Sequence, residues 1–528
     1  MSHPVNSVWL VTREYAGIAE AGGVKNVACS LSEGLVRQNI KVSVFIPRYG
    51  CVSTVASPAF SATVFLGHQQ YPVEFSVTTV HGVEIIFVDS ELFSSKHDVY
   101  LYTEAESRSI PGAVRGKGHG DGDIMNLLLQ KAVLAYAEGT ARVPDVLHGQ
   151  DAHTAMLPAL IRTNAACDRM FRNTLIVITV HNAGPGYRQS IPSGSVSAGL
   201  IGLDPAVLEK AVFKGNIEPF LLAAEYGILT TVSPWYADEL SSSRYDPITD
   251  GLSGEFERRG IHIVGITNGI DFHKYEPSDI ACSLLPFAFN PETGSLSGKY
   301  ANRKYLLDTM THFNGFSGMT CFGTLEHEPG SVYFSYHGRI ASQKGVDVLA
   351  KSAVSVLDSL PQARFIILGQ GDPALESMLI EAVKNHPGRF VYLRGYERSL
   401  ARLAVAVSDF LVLPSAFEPC GLEDFIGQIF GTIPVAHAVG GLNKIIPGKT
   451  GFLYESRPDI PDEQILSRLL LDLVKPVLEG PSDTLSSVPM YLGMIKFASR
   501  YVREEYNWDS IIRDRYIPLY RQNPAGSA

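Results

Sequence analysis

The sequence predicts an α/β protein of two domains, each a mainly parallel sheet wound with helices. Three observations predict it. The chain opens on a strand, a glycine loop, a helix and a second strand. A new alternating series of strands and helices begins near residue 332. Residues 410–442 then give a short apolar run, a loop, a helical stretch, another strand and a glycine loop, an order that gathers ligands at the carboxyl edge of a parallel sheet. At 528 residues the chain has room for two domains with separate cores.

Composition narrows the function classes. Hydrophobic residues make up 45% and charged residues 19%, and the formal net charge is −10. With 44 basic against 54 acidic residues and no Lys/Arg-rich run, a nucleic-acid partner is not expected. The six cysteines (29, 51, 167, 282, 321 and 420) contain no C-x-x-C pair, so neither a disulfide framework nor a zinc site is predicted. The opening residues carry no basic stretch and no long apolar core of a signal peptide. No apolar run approaches the roughly 20 residues of a membrane helix. A soluble cytoplasmic protein is the expectation.

In the first half, residues 8–11 form an apolar run suited to a buried strand. Gly22-Gly23 follows, and Val24, Val27, Ala28, Leu31 and Leu35 repeat at helical spacing over 24–37. Residues 41–46 give the next strand, which completes a Rossmann-like opening. Glycines at a helix start let backbone N–H groups meet an anion. Another strand is expected over 84–88. Residues 110–123 are rich in glycine and charge and read as a loop or lid, with a helix over 124–137. A short strand from Asp145 delivers His148, Asp151 and His153. The strand 175–179 leads into His181 and Asn182, and 190–202 reads as a small-residue loop. Strands are expected near 229–232 and 262–267, the latter ending in the Asn268-Gly269 turn signal.

In the second half, 279–297 reads as an irregular connector and 299–304 as a helix start. Strands at 332–336, 364–368, 390–393, 410–413 and 432–436 alternate with helices. The tail 491–522 is helical in pattern. Arg339 and Lys344 follow the first of these strands, Gly371-Asp372 the second, and Glu418 the fourth. An arginine can fork onto phosphate oxygens while a lysine acts as a point charge.

F-E-P-C-G-L at 417–422, G-T-I-P-V at 431–435 and G-G-L at 440–442 resemble the signature of the bacterial glycogen synthases and plant starch synthases. H-G-R-I-A-S-Q-K-G at 337–345, L-G-Q-G-D-P at 368–373, D-V-L-H-G-Q-D-A-H at 145–153 and V-H-N at 180–182 extend the resemblance over nearly the whole chain. It implies a GT-B fold with an interdomain cleft and retaining glucosyl transfer. By resemblance, an acceptor-side domain spans 1–265 and is joined by a tail helix at about 506–522. A donor-side domain spans 266–505.

The resemblance implies roles. Glu418 steadies an oxocarbenium-like transition state, His153 contacts the transferred glucose, and Arg339 and Lys344 hold the departing diphosphate. Gly22, Gly23, Asn268, Gly371, Asp372, Cys420, Gly421, Leu422, Gly440 and Gly441 line the donor, while Asp123, His181 and Asn182 face sugar. His148 reads as a packed histidine. Lys299 to Lys304 resemble a family segment that opens a helix beside the cleft. The chain departs from the pattern where Glu20 replaces a lysine and where Glu423 and Val439 replace threonines.

The expected function is transfer of glucose from ADP-glucose or UDP-glucose to the nonreducing end of an α-1,4-glucan such as glycogen. No metal or other cofactor is expected beyond the nucleotide-sugar substrate. The departures admit an alternative, a non-catalytic glucan-binding or regulatory homologue, or a retaining enzyme with another donor or acceptor. Where the Glu20 and Glu423 side chains point discriminates between these readings.

Overall fold

A computed structural model describes residues 4–310, 318–480 and 484–523 of the chain. The reading of the N-terminus falls partly on residues 1–3, which lie outside the described residues. The chain divides into two compact units, 1–269 with 508–528, and 270–507.

In the first unit, nine strands among the described residues form one sheet. Its order is Ile263–Gly265, Ile228–Thr231, Leu175–Val180, Val146–Gln150, Ser7–Val11, Lys41–Pro47, Val83–Asp89, Gln69–Val80 and Ser57–Leu66. The first seven run parallel, and the last two add an antiparallel hairpin. Val8, Leu10 and Val11 are fully buried, as expected for a central parallel strand covered on both faces. Helices Val24–Arg37 and Gly122–Thr140 supply part of that cover, and Tyr136 packs its ring against Trp9 and Phe45.

The last residues close this unit. A Cβ on Gly34 would lie 2.3 Å from Ile512 Cδ1, so the missing side chain makes room for the tail on the first helix. The Tyr520 hydroxyl meets His148 Nδ1 at 2.7 Å, and His148 Nε2 meets Thr179 Oγ1 at 2.7 Å. The ring is a packed, doubly hydrogen-bonded group. Gly269 lies against the Trp508 ring, and the division of the chain falls just after it, later than residue 265. Asn268 therefore sits in the first unit.

In the second unit the described strands are ordered Thr320–Leu325, Arg389–Arg394, Ala363–Gly369, Val332–His337, Phe410–Leu413, Ile433–His437 and Phe452–Tyr454. All pairings are parallel except that of Thr320–Leu325. Lys299 does not line a cleft. It is 1% exposed and donates to Ala406 O at 2.6 Å, Phe430 O at 3.3 Å and Thr432 Oγ1 at 2.9 Å. Arg303, one turn on, pairs with buried Asp409 at 2.7 Å. This segment braces the core because its long side chains reach carbonyls that the strand and helix ends leave open.

Residues 190–202 are not a loop. Ile191–Pro192 pairs with Asn216–Ile217, and Ser195–Ile201 is a helix closed by Gly202 at φ 76°. Its small residues obscure the pattern, while Ile201 is fully buried. Among the described residues no helix is long and apolar enough to cross a membrane.

Candidate active site

Two clusters of polar groups lie at carboxyl ends of parallel strands, one in each unit. In the second unit, Lys344 and Glu418 leave the neighbouring strands Val332–His337 and Phe410–Leu413. Gly345 takes φ 66°, and a Cβ on it would stand 1.9 Å from Pro414 O. That close approach, with Ala416 N–H donating to Gln343 O at 3.0 Å, brings the two loops together. Lys344 Nζ then lies 2.5 Å from Glu418 Oε2, and Ser415 Oγ donates to the same oxygen at 3.3 Å. The two side chains are 23% and 17% exposed, so their attraction is only partly screened. Arg339 is exposed, and its guanidinium makes no ion pair or hydrogen bond among the described residues.

Glu423 opens the helix Glu423–Ile429 and accepts from His337 Nδ1 at 3.0 Å. Burial disfavours the His337 cation, but the facing Glu423 outweighs it and raises the imidazole above its ordinary value. The Tyr396 ring lies nearly parallel to His337 with centroids 6.1 Å apart and is 61% exposed.

The expected donor-side residues divide by what their atoms already do. Gly371 N–H donates to Glu376 Oε1 at 2.8 Å, and a Cβ there would meet Ile340 O at 2.1 Å. Asp372 caps the helix Pro373–Asn385 through Ala374 N–H and Leu375 N–H. Gly441 N–H donates to Glu418 O at 2.8 Å. Gly440 opens the 3-10 turn Gly440–Lys444, and Cys420 is buried. The N–H groups of Gly421 and Leu422 meet no acceptor among the described residues.

Sequence reasoning missed Lys444. Its side chain is 1% exposed, and its ammonium donates to Cys420 O at 2.6 Å, Gly421 O at 2.8 Å and Gly441 O at 3.0 Å. It also pairs with Asp424 Oδ1 at 2.9 Å. Burial raises the Asp424 carboxyl to about 6, with Lys444 pulling the other way. No local motif signals a side chain that binds carbonyls some 20 residues earlier in sequence.

In the first unit, Asp151 takes φ 64° after the strand Val146–Gln150 and turns the chain into Ala152–Thr154, which carries His153. His153 is buried and stacks on Tyr100 with centroids 5.2 Å apart. Burial, then the charges of Arg13 and His181, hold it well below the ordinary histidine value, so it stays neutral. The Tyr100 hydroxyl donates to Glu14 Oε1 at 2.6 Å, and Gly22 N–H donates to Glu14 Oε2 at 2.5 Å. A carboxylate of the chain itself thus receives the Gly22 amide. His181 Nε2 meets Gln150 Oε1 at 2.8 Å, and burial lowers the ring to about 4. Asp151 accepts from His181 N–H, yet burial raises its carboxyl to about 7. Asn182 Oδ1 accepts from Gly184 N–H, and Asp123 Oδ1 from Ile124 N–H, so both shape their own turns.

Glu20 pairs with Lys25 Nζ at 2.9 Å and accepts from Gly17 N–H at 2.6 Å. Both carboxylates that depart from the expected pattern, Glu20 and Glu423, therefore face a cationic or titratable partner.

Comparison with known proteins places these clusters in context. Residues 7–254 match the starch synthase catalytic domain model, and residues 331–472 match the model of glycosyl transferases group 1. A glycogen synthase from Vibrio atlanticus is 26% identical over 520 residues, covering 95% of this chain and 97% of its own. One from Koribacter versatilis is 29% identical over 441 residues, 82% of each chain. The catalytic domain of starch synthase IV from Arabidopsis thaliana, solved bound to ADP and acarbose, superposes with a TM-score of 0.77. It shares 22% identity and covers 99% of this chain and 100% of its own.

Proposed function

Because the chain belongs to the glycogen synthase and starch synthase family of GT-B glycosyltransferases, we propose that it extends an α-1,4-glucan with glucose taken from ADP-glucose or UDP-glucose, with retention of configuration. The observation that carries this reading is the Lys344–Glu418 pair, with Arg339 on the same loop exposed and its guanidinium in no ion pair among the described residues. A departing nucleoside diphosphate gains negative charge as the glycosidic bond to phosphate breaks. Arg339 and Lys344 supply two cations for that charge, and the Gly421 and Leu422 amides supply donors that need no reorganisation. The Glu418 carboxylate, held in place by Lys344, stabilises positive charge on the sugar.

In the first unit, neutral His153 offers a ring nitrogen to a sugar hydroxyl without competing for protons. Gly23, rather than Gly22, is the glycine whose amide meets no acceptor among the described residues, since Glu14 already holds the Gly22 N–H. The ADP and acarbose of the starch synthase IV structure support a nucleotide and a glucan as the two ligand classes. The reading needs no cofactor beyond the nucleotide sugar. The pairing of Glu20 with Lys25 and of Glu423 with His337 weakens two of the three departures that favour the non-catalytic alternative, the third being Val439.

Proton NMR of a maltooligosaccharide incubated with the protein and each nucleotide-glucose tests the reading. A new α-anomeric signal of a 1,4-linked residue at the nonreducing end is expected. A β-linked product, or a different linkage, contradicts it.

A further inference from the structure

Resting on the diphosphate reading of the site around Glu418, we propose that Lys444 is a positioning residue. Its buried ammonium turns two successive peptides so that the Gly421 and Leu422 N–H groups face the diphosphate.

In a planar trans peptide the C=O and the following N–H point in opposite directions. Lys444 Nζ holds the carbonyls of Cys420 and Gly421 at 2.6 and 2.8 Å, so the N–H groups of Gly421 and Leu422 both point away from it. Gly421, between the two peptides, takes φ 72°, a left-handed conformation that favours glycine. Consecutive N–H groups turned to one side form a concavity suited to an anion. Both groups lack an acceptor among the described residues.

The same ammonium binds Gly441 O, while Gly441 N–H binds Glu418 O. One side chain therefore ties the turn 440–444 to the loop that carries Glu418. Asp424, fully buried 2.9 Å away, balances the charge, so the contribution of Lys444 to the site is orientation rather than net potential. The Phe425 ring, 4.5 Å from Nζ, closes another side and keeps water from competing for the carbonyls.

The test uses the full chain, with ADP and UDP as probes in titration calorimetry below the melting temperature of every variant. Lys444→Met fills similar space and removes all three donors. Lys444→Gln keeps two N–H donors. The proposal expects Lys444→Met to bind the preferred nucleotide at least tenfold more weakly than wild type, with Lys444→Gln between the two. If wild type binds and folded Lys444→Met binds within threefold, Lys444 does not position the amides, and the diphosphate reading still stands. If wild type binds neither nucleotide, that reading fails and takes this proposal with it. Should both variants fail to fold, amide hydrogen exchange in the wild type decides. Slower exchange of Gly421 and Leu422 on adding the nucleotide supports the proposal, and unchanged exchange overturns it.

Discussion

The Lys344 ammonium and the Glu418 carboxylate meet at 2.5 Å, held by loops that leave two adjacent parallel strands of one sheet. Truncating either residue to alanine leaves the other partly buried without its ion-pair partner. Glu418→Gln keeps the shape and a hydrogen-bond acceptor for Lys344 but loses the negative charge. The turnover rate is expected to fall by about 10²–10³-fold, while the dissociation constant for the nucleoside diphosphate changes by less than about fivefold. Steady-state kinetics with parallel calorimetry separates the two effects.

Glu20 and Lys25 form a half-exposed pair beside the Gly22-Gly23 turn. Such pairs are worth about 0–1 kcal/mol. Glu20→Ala frees Lys25 and is expected to leave the KM for the nucleotide sugar unchanged or slightly lower. Lys25→Ala removes the cation beside the Glu20 carboxylate, and the KM is expected to rise by a few-fold. A large rise on Glu20→Ala would show that the carboxylate itself binds substrate.

His148 gives a stability prediction with a definite sign. Burial holds it near 3 in the folded state, against about 6.5 in an unfolded chain. The folded ring is neutral and the unfolded ring takes up a proton below 6.5. Its contribution is therefore present above that pH and lost as the pH falls toward 3, by about 1.4 kcal/mol per pH unit. In His148→Gln this titration is absent. The difference in melting temperature between wild type and His148→Gln is expected to shrink from pH 7 to pH 5. Asp151, near 7, titrates in both proteins, and His181, held near 4, stays neutral over this range.

Lys299 tests structure against function. Lys299→Met leaves the Ala406 and Phe430 carbonyls and the Thr432 hydroxyl short of a donor in the core. Each buried polar group left unsatisfied costs about 1–3 kcal/mol. Denaturant unfolding is expected to show a loss of that order, with the KM for donor and glucan unaltered below the transition. A changed KM with unchanged stability would return Lys299 to the ligand site.

Much of the fold was legible because its parallel strands are short, continuous apolar runs. Residues 8–11, 175–180 and 410–413 are of this kind and are buried throughout. The hairpin of Ser57–Leu66 and Gln69–Val80 was missed because its strands are partly exposed. Gln69, Gln70 and Glu74 break up its apolar positions, and Pro58 and Pro72 argue locally against strand. Thr320–Leu325 was missed for a similar reason, as an edge strand broken by Gly323 at φ 82°. At the candidate site, motif residues such as Glu418, Lys344 and His153 announce themselves by order and spacing. Glu14 and Lys444 do not. Each acts through bonds to backbone groups distant in sequence or outside any motif, and only the folded chain brings those groups together.

The central claim is glucose transfer from a nucleotide donor to a glucan. Release of ADP from ADP-glucose and of UDP from UDP-glucose, measured with and without glycogen, tests it most directly. The account predicts release from at least one donor that depends on glycogen and disappears in Glu418→Ala. Release from neither donor, with glycogen still bound by the protein, would contradict it.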